Sequence, residues 1–281
     1  LPFPVVSFQI MFERKFEITA EQIDRFDFNL VMLGTNYSCE VYINADFVLN
    51  HAGGYTSFLQ PIPQNTLQVG TENVIRVIVS NELDSKRTIP PRSDISAWRN
   101  FGGILRDVFI LATPKFFINR VDVTASVNET ASSAKLIFNA TVGGIVPPAT
   151  ETQGAKKTVG FGFYAELFDK VSGISVGKSP TVSLVEKRDW WETGPVEIVM
   201  QSPKLWSPES PELYLIKTFV VKTIGKEQSV LDEYDVAYGL RTLEVKDRRI
   251  ILNGKRVVLK GVMWYEDHPK WGSSMTYEEM E

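Results

Sequence analysis

Histidine and cysteine are almost absent from this 281-residue sequence, which has only His51, His268 and Cys39. A single cysteine excludes an intramolecular disulfide and a cysteine-based zinc site, so stability has to come from packing. A metal centre would have to be built from carboxylates, and no calcium-loop spacing occurs. No metal and no cofactor are expected. A surplus of positive charge is missing as well: 30 Lys and Arg stand against 34 Asp and Glu, for a net charge of −4 and a pI near 5.5. That balance argues against nucleic acid or an anionic membrane as partner, since either needs a concentrated basic face. The densest basic stretch, Lys246, Arg248, Arg249, Lys255, Arg256 and Lys260, is interleaved with apolar residues and reads as the solvated side of a hairpin. No run approaches the about 18 uninterrupted apolar residues of a membrane span. The chain opens on Leu1 rather than methionine, which fits a trimmed N-terminus, and the compartment is not readable.

What is present is apolar material in short parcels. At 43% hydrophobic and 11% aromatic residues the chain has enough for real cores and too much for disorder. The length fits two domains, or two and the remnant of a third. Long stretches of helical period do not occur. Instead, apolar runs bounded by Gly, Pro and Asn predict strands over 8–18, 28–33, 40–43, 73–79 and 104–111. Val74-Ile75 and Val77-Ile78-Val79 are nearly continuous, as expected of a central strand covered on both faces. The intervening loops 51–64 and 81–100 are long, and loops of that length in a compact β domain are usually functional or interface-forming.

From residue 116 the strand pattern restarts with cleaner alternation. Val121, Val123, Ala125 and Val127 oppose Asp122, Thr124 and Ser126, the signature of a strand buried on one face. Further runs at 135–142, 159–168, 181–187, 196–201, 213–223 and 229–238 suit an immunoglobulin-like sandwich. The stretch 143–157 reads as a hairpin insertion. Trp190 and Trp191 are adjacent, so on a strand they face opposite ways and one belongs to the core. After Gly239, Asn253-Gly254 between two apolar runs predicts a type I′ hairpin, its second strand continuing to Tyr265. Thr276 with Glu279 three residues on is a capping box, which marks a helix start. Strand, loop and helix onset together read as the first unit of an alternating β/α domain.

Four blocks carry a family resemblance. They are Val41-Tyr42-Ile43-Asn44 with His51-Ala52-Gly53-Gly54-Tyr55; Ser80-Asn81-Glu82-Leu83 and Thr88–Pro91, with Trp98 and Phe101-Gly102-Gly103-Ile104-Leu105-Arg106-Asp107-Val108; Leu205-Trp206-Ser207-Pro208 through Leu213-Tyr214; and Gly239-Leu240-Arg241, Leu252-Asn253-Gly254-Lys255 and Tyr265-Glu266-Asp267-His268-Pro269. In this order they resemble family 2 of the glycoside hydrolases, the group of β-galactosidases, β-glucuronidases and β-mannosidases. The resemblance implies an all-β chain: a jelly-roll-like sugar-binding-type sandwich over 1–113, an immunoglobulin-like β-sandwich over 114–238, and over 239–281 the first strand and helix onset of a truncated (β/α)8 catalytic barrel. A whole barrel takes about 250 residues.

The resemblance further implies a retaining exo-β-glycosidase, with two carboxyl groups about 5–5.5 Å apart acting as acid/base and nucleophile. In the family both are glutamates of later barrel strands, beyond Glu281, so no catalytic residue is assigned here and the chain alone is expected to be inactive. Active sites of such barrels lie at the C-terminal ends of the strands, where Tyr265, Glu266, Asp267 and His268 fall. Tyr265 stands where the galactosidase pattern has a histidine, and Met263 where an asparagine is common. Tyr265 and His268 therefore read as sugar contacts or as loop packing. From the first domain, Asp94 is the nearest acid for the sugar pocket, with loop capping as its other reading. Trp98 would stack on a sugar face or anchor its loop. His51, Gly53 and Gly54 are read as shaping a turn.

The expected partner of the full-length enzyme is a carbohydrate substrate, with a homo-oligomer possible. Residues 81–83 and 88–91 lean towards glucuronidase-like members and residues 266–269 towards galactosidase-like ones, with the choice falling on β-galactosidase. A stand-alone carbohydrate-binding module, or a structural pair of sandwiches, would need neither the barrel strand nor the helix cap.

Overall fold

The structure, a computed structural model, describes residues 9–83, 100–128, 130–146, 159–264 and 268–280. Strand takes 60% of it and helix 5%, which makes the chain all-β. The residues fall into two compact units, Leu1–Thr113 with Val262–Glu281, and Pro114–Gly261. The expected third segment, 239–281, is thus divided between them.

The first unit holds β1 (Gln9–Glu17), β2 (Phe26–Met32), β3 (Thr35–Asn36), β4 (Ser38–Ile43), β5 (Asp46–Ala52), β6 (Phe58–Pro61), β7 (Glu72–Ser80), β8 (Gly103–Ile104) and β9 (Val108–Pro114), with the short helix α1 (Ala20–Arg25) after β1. A sheet of order β1-β7-β4-β5 and a sheet of order β6-β2-β9 contribute Leu30, Met32, Val41, Ile43, Val77 and Val79 to a shared core. In β7, Asn73, Ile75, Val77 and Val79 are buried while Val74, Arg76 and Ile78 are half-buried. One face is covered, not two as the apolar run implied, and Arg76 on the other face pairs with Glu13 of the neighbouring strand at 2.7 Å. The apolar run 104–111 is two strands. It breaks at Leu105-Arg106-Asp107, where Gly34 O takes the N–H groups of Leu105 and Arg106.

The second unit holds β10 (Phe116–Val127), β11 (Ser133–Gly144), β12 (Val159–Asp169), β13 (Ser175–Lys178), β14 (Val182–Ser183), β15 (Val185–Glu186), β16 (Trp191–Glu192), β17 (Val196–Gln201), β18 (Tyr214–Ile224) and β19 (Glu227–Tyr238), followed by the meander β20 (Leu243–Lys246), β21 (Arg249–Leu252) and β22 (Lys255–Val257). One sheet runs β10-β11-β16-β15 with β17 also on β11; the other runs β13-β12-β18-β19 with β14 also on β12. Their inner faces share Phe116, Phe138, Phe163, Leu136, Leu167 and Ile216, all nearly inaccessible; burying each such side chain contributes about 1.5–3 kcal/mol. Trp191 joins this core against Phe116 and Phe161, whereas Trp190 is exposed and donates its indole N–H to Glu192 at 2.7 Å.

Two of the sequence blocks meet here. Trp206 N donates to Leu240 O at 2.8 Å, Asn253 Nδ2 donates to Trp206 O at 2.9 Å, and the Arg241 guanidinium lies 5.5 Å from the Trp206 ring centroid. A Cβ on Gly239 would come within 3.0 Å of the Trp206 ring. Asn253 and Gly254 both take positive φ, 48° and 75°, as the hairpin reading requires. The second strand is shorter than the apolar pattern implied, however. It ends at Val257, and residues 258–264 are not strand. An extended segment becomes a strand only when a neighbour takes its N–H and C=O groups, and no described strand lies beside these residues. Val258, Leu259, Val262, Met263 and Trp264 are accordingly exposed. The polar stretch read as a hairpin insertion lies outside the described residues from 147 onward.

Candidate functional site

Five of the six residues singled out by the sequence, Asp94, Trp98, Tyr265, Glu266 and Asp267, lie outside the described residues. His268 is described, and it closes a turn. Its N–H and C=O pair with those of Gly272, each at 2.9 Å. Its Nδ1 accepts from the N–H groups of Lys270 at 3.2 Å and Trp271 at 3.3 Å. Loop hydrogen bonding, one of the two readings of this residue, therefore occupies Nδ1. The chain then runs into α2 (Tyr277–Met280) through Thr276, whose N–H donates to Glu279 Oε2 at 3.0 Å while its Oγ1 accepts from Glu279 N at 3.3 Å. That is the reciprocal capping box the sequence predicts.

The His268 turn sits against the loop that follows residue 100, in the same unit. Gly272 (φ 59°) is buried, and a Cβ there would come within 2.9 Å of the Phe101 ring. Arg106 Nη1 donates to Ser273 O at 2.5 Å and to Leu105 O at 3.0 Å. The Arg106 stem is itself packed over Gly34, whose absent side chain leaves room for it: a Cβ on Gly34 would stand 3.2 Å from Arg106 Cγ. Behind this contact lies a chain of amides. Asn36 Nδ2 donates to Asn100 Oδ1 at 2.7 Å and to Phe101 O at 2.6 Å, and Asn100 Nδ2 donates to Asn81 O at 2.6 Å. Gly54 backs onto Asn36 so closely that a Cβ would meet the Asn36 amide.

Two residues beside Asn36 carry buried hydroxyls, Thr35 Oγ1 and Tyr37 OH, and these, like His51 Nε2, have no hydrogen-bond partner among the described residues. A buried polar group left unpaired costs about 1–3 kcal/mol. His51 lies on β5, not in the loop, and stacks on Phe58 at 4.0 Å between ring centroids. Burial pushes the neighbouring Cys39 thiol up to about 11, so it is an unreactive core group.

The arrangement is polar and short of titratable pairs. Among the described residues no three His, Cys, Asp or Glu gather as metal ligands. A depression of ≈ 360 Å³ lined by Gln9, Ser38, Glu40, Asn50 and Ser80 opens on the outer face of the β1-β7-β4-β5 sheet, and none of its lining residues belongs to the 100–106 or 268–273 loops. Sequence reasoning missed Asn36, Asn100 and Arg106 as site-building residues. The one available signal was Arg106, a charge interrupting an apolar strand run.

Three comparisons bear on this geometry. Residues 116–241 match the family described as glycosyl hydrolases family 2. A β-galactosidase of Thermoanaerobacter pseudethanolicus is 28% identical over 240 residues, 84% of this chain and 29% of that protein. Among solved structures, a glycosyl hydrolase family 2 member from Bacteroides cellulosilyticus aligns over 95% of this chain and 31% of its own with a TM-score of 0.75 at 22% identity. The β-glucuronidase of Ruminococcus gnavus aligns over 96% of this chain and 42% of its own, with a TM-score of 0.74 at 21% identity. These structures share the fold. The chain spans less than half the length of each of these relatives.

Proposed function

We propose that this chain, whose residues 116–241 match glycosyl hydrolases family 2, is a fragment of that family and forms the non-catalytic N-terminal region of a retaining exo-β-glycosidase acting on β-galactosides. On this reading 1–113 is the jelly-roll-like domain, 114–238 is the immunoglobulin-like domain, and 239–281 opens a (β/α)8 barrel whose later strands supply the acid/base and the nucleophile. The observation that carries it is the docking of the His268–Ser273 turn on Phe101 and Arg106. On this reading a loop that follows the first barrel segment is seated on the sandwich, and loops of that kind are the ones from which barrel enzymes build their sites. Galactosidase relatives and the 266–269 motif favour galactosides over glucuronides.

The chemistry needs two carboxyl groups held about 5–5.5 Å apart and tuned to different pKa values by rigid surroundings. Glu266 and Asp267, the acids nearest the expected barrel site, are consecutive in sequence and cannot face each other across a sugar, so on this reading this chain by itself is inert. The test assays this chain and the full-length protein on nitrophenyl β-galactoside and β-glucuronide. Turnover by the full-length protein alone, faster on the galactoside, is the expected result. Activity in this chain that Glu266→Gln abolishes would refute the division of labour, and preference for the glucuronide would refute the substrate.

A further inference from the structure

We propose that Arg106 is a positioning residue that fixes the His268–Ser273 turn, and that it does so by tying Ser273 O to the Leu105 carbonyl and to the Gly34 backbone on which its own stem is packed. The inference rests on the reading of the chain as part of a glycosidase, and extends it to a residue that binds no substrate itself. The geometry is specific. Arg106 is half-buried, its stem is confined over Gly34, and one Nη1 bridges two backbone carbonyls, Leu105 O on its own loop and Ser273 O across 167 residues of sequence. Arg presents donors in a fixed plane, so a carbonyl held by one is held in direction as well as distance.

On the far side of the turn, Gly272 rests on the Phe101 ring. The carbonyl of Phe101 is in turn held by Asn36 Nδ2. The turn is therefore gripped twice, by a hydrogen bond and by a ring, and both grips lead back to the segment Gly34–Asn36. Within the turn, His268 Nδ1 is occupied by two backbone N–H groups. The imidazole direction is then a property of the turn, and the turn's place is a property of Arg106. Residues that orient others contribute through geometry, and a misplacement of about 1 Å can cost on the order of 100-fold in rate.

The experiment has two arms. In this chain, hydrogen exchange is followed at the N–H groups of His268, Gly272 and Ser274 in Arg106→Met and, as an independent break of the second grip, in Gly272→Ala. Exchange at those three amides should accelerate in both variants, while Val77 and Val79 of β7 keep their protection and report that the unit is folded. Unchanged exchange at the turn in Arg106→Met, with β7 intact, overturns the proposal. In the full-length protein, Arg106→Met should lower kcat/KM on nitrophenyl β-galactoside by about 10- to 100-fold, and Arg106→Lys, which keeps a donor but not its fixed plane, should recover only part of it. Accelerated exchange with unchanged kinetics overturns the positioning role. Absence of any glycosidase activity in the wild-type full-length protein would instead sink the proposed function, and the exchange arm would still decide whether Arg106 holds the turn.

Discussion

Replacing Gly54 by alanine tests the amide lock with a single methyl group. The backbone at Gly54 is not in the left-handed region, so the substitution adds no dihedral strain; its effect is collision. The new Cβ would lie against the Asn36 amide, 2.9 Å from its Cγ. Ordinarily a side-chain tip moves away cheaply, but this one is pinned, because its Nδ2 donates to Asn100 Oδ1 at 2.7 Å and to Phe101 O at 2.6 Å. Moving it breaks both bonds at about 0.5–1.5 kcal/mol each, and not moving it is overpacking at about 1–3 kcal/mol. Either way Gly54→Ala should lose about 1–3 kcal/mol in the first unit. Hydrogen exchange at Val41, Val77 and Val79 reads the opening free energy there, with Ile198 and Ile216 of the second unit as internal reference. Asn36→Ala removes the obstacle, so Gly54→Ala on that background should add little. A loss below about 0.5 kcal/mol in the single variant, or full additivity in the double, would refute the collision.

The remaining predictions concern the second unit. The Asp169 carboxyl is held well below the usual carboxylate range, first by the Lys204 ammonium at 2.7 Å and then by the N–H and hydroxyl of Ser172. A depressed folded-state pKa contributes stability that is complete above the unfolded value of about 3.9 and fades as pH falls through the folded one. Asp169→Asn should therefore lower Tm at pH 7, with the gap to wild type closing below about pH 4; a gap that stays constant into acid would contradict the assignment. Phe138, fully buried between the two sheets, should cost about 3–5 kcal/mol when cut to alanine. Urea unfolding checks this, and a loss under about 1 kcal/mol would mean the core collapses around the gap.

Strands were legible where their apolar rhythm was. The run at 196–201 is β17 from end to end, and the alternation of Val121, Val123, Ala125 and Val127 survives as the inward face of β10. Hidden from that rhythm were elements whose stabilisation is not apolar. Helix α1 has no buried residue, and its only sequence signal was the capping box Thr19 to Gln22, whose two hydrogen bonds are formed. The turn at Asp247-Arg248 takes φ of 50° and 59° without a glycine to announce it. The site was legible as a pair of loops but not as a mechanism for holding them. Asn36, Asn81 and Asn100 act through amide hydrogen bonds between residues up to 64 positions apart, and no local pattern marks such a contact. His268 was singled out for its ring, whereas the turn it caps is what the fold uses.

The most direct test of the whole reading is the anomeric configuration of the first sugar released when the full-length protein cleaves nitrophenyl β-galactoside, followed by proton NMR before mutarotation. Two carboxyl groups about 5–5.5 Å apart and a covalent glycosyl intermediate predict the β-anomer as first product. Release of the α-anomer would contradict the retaining mechanism.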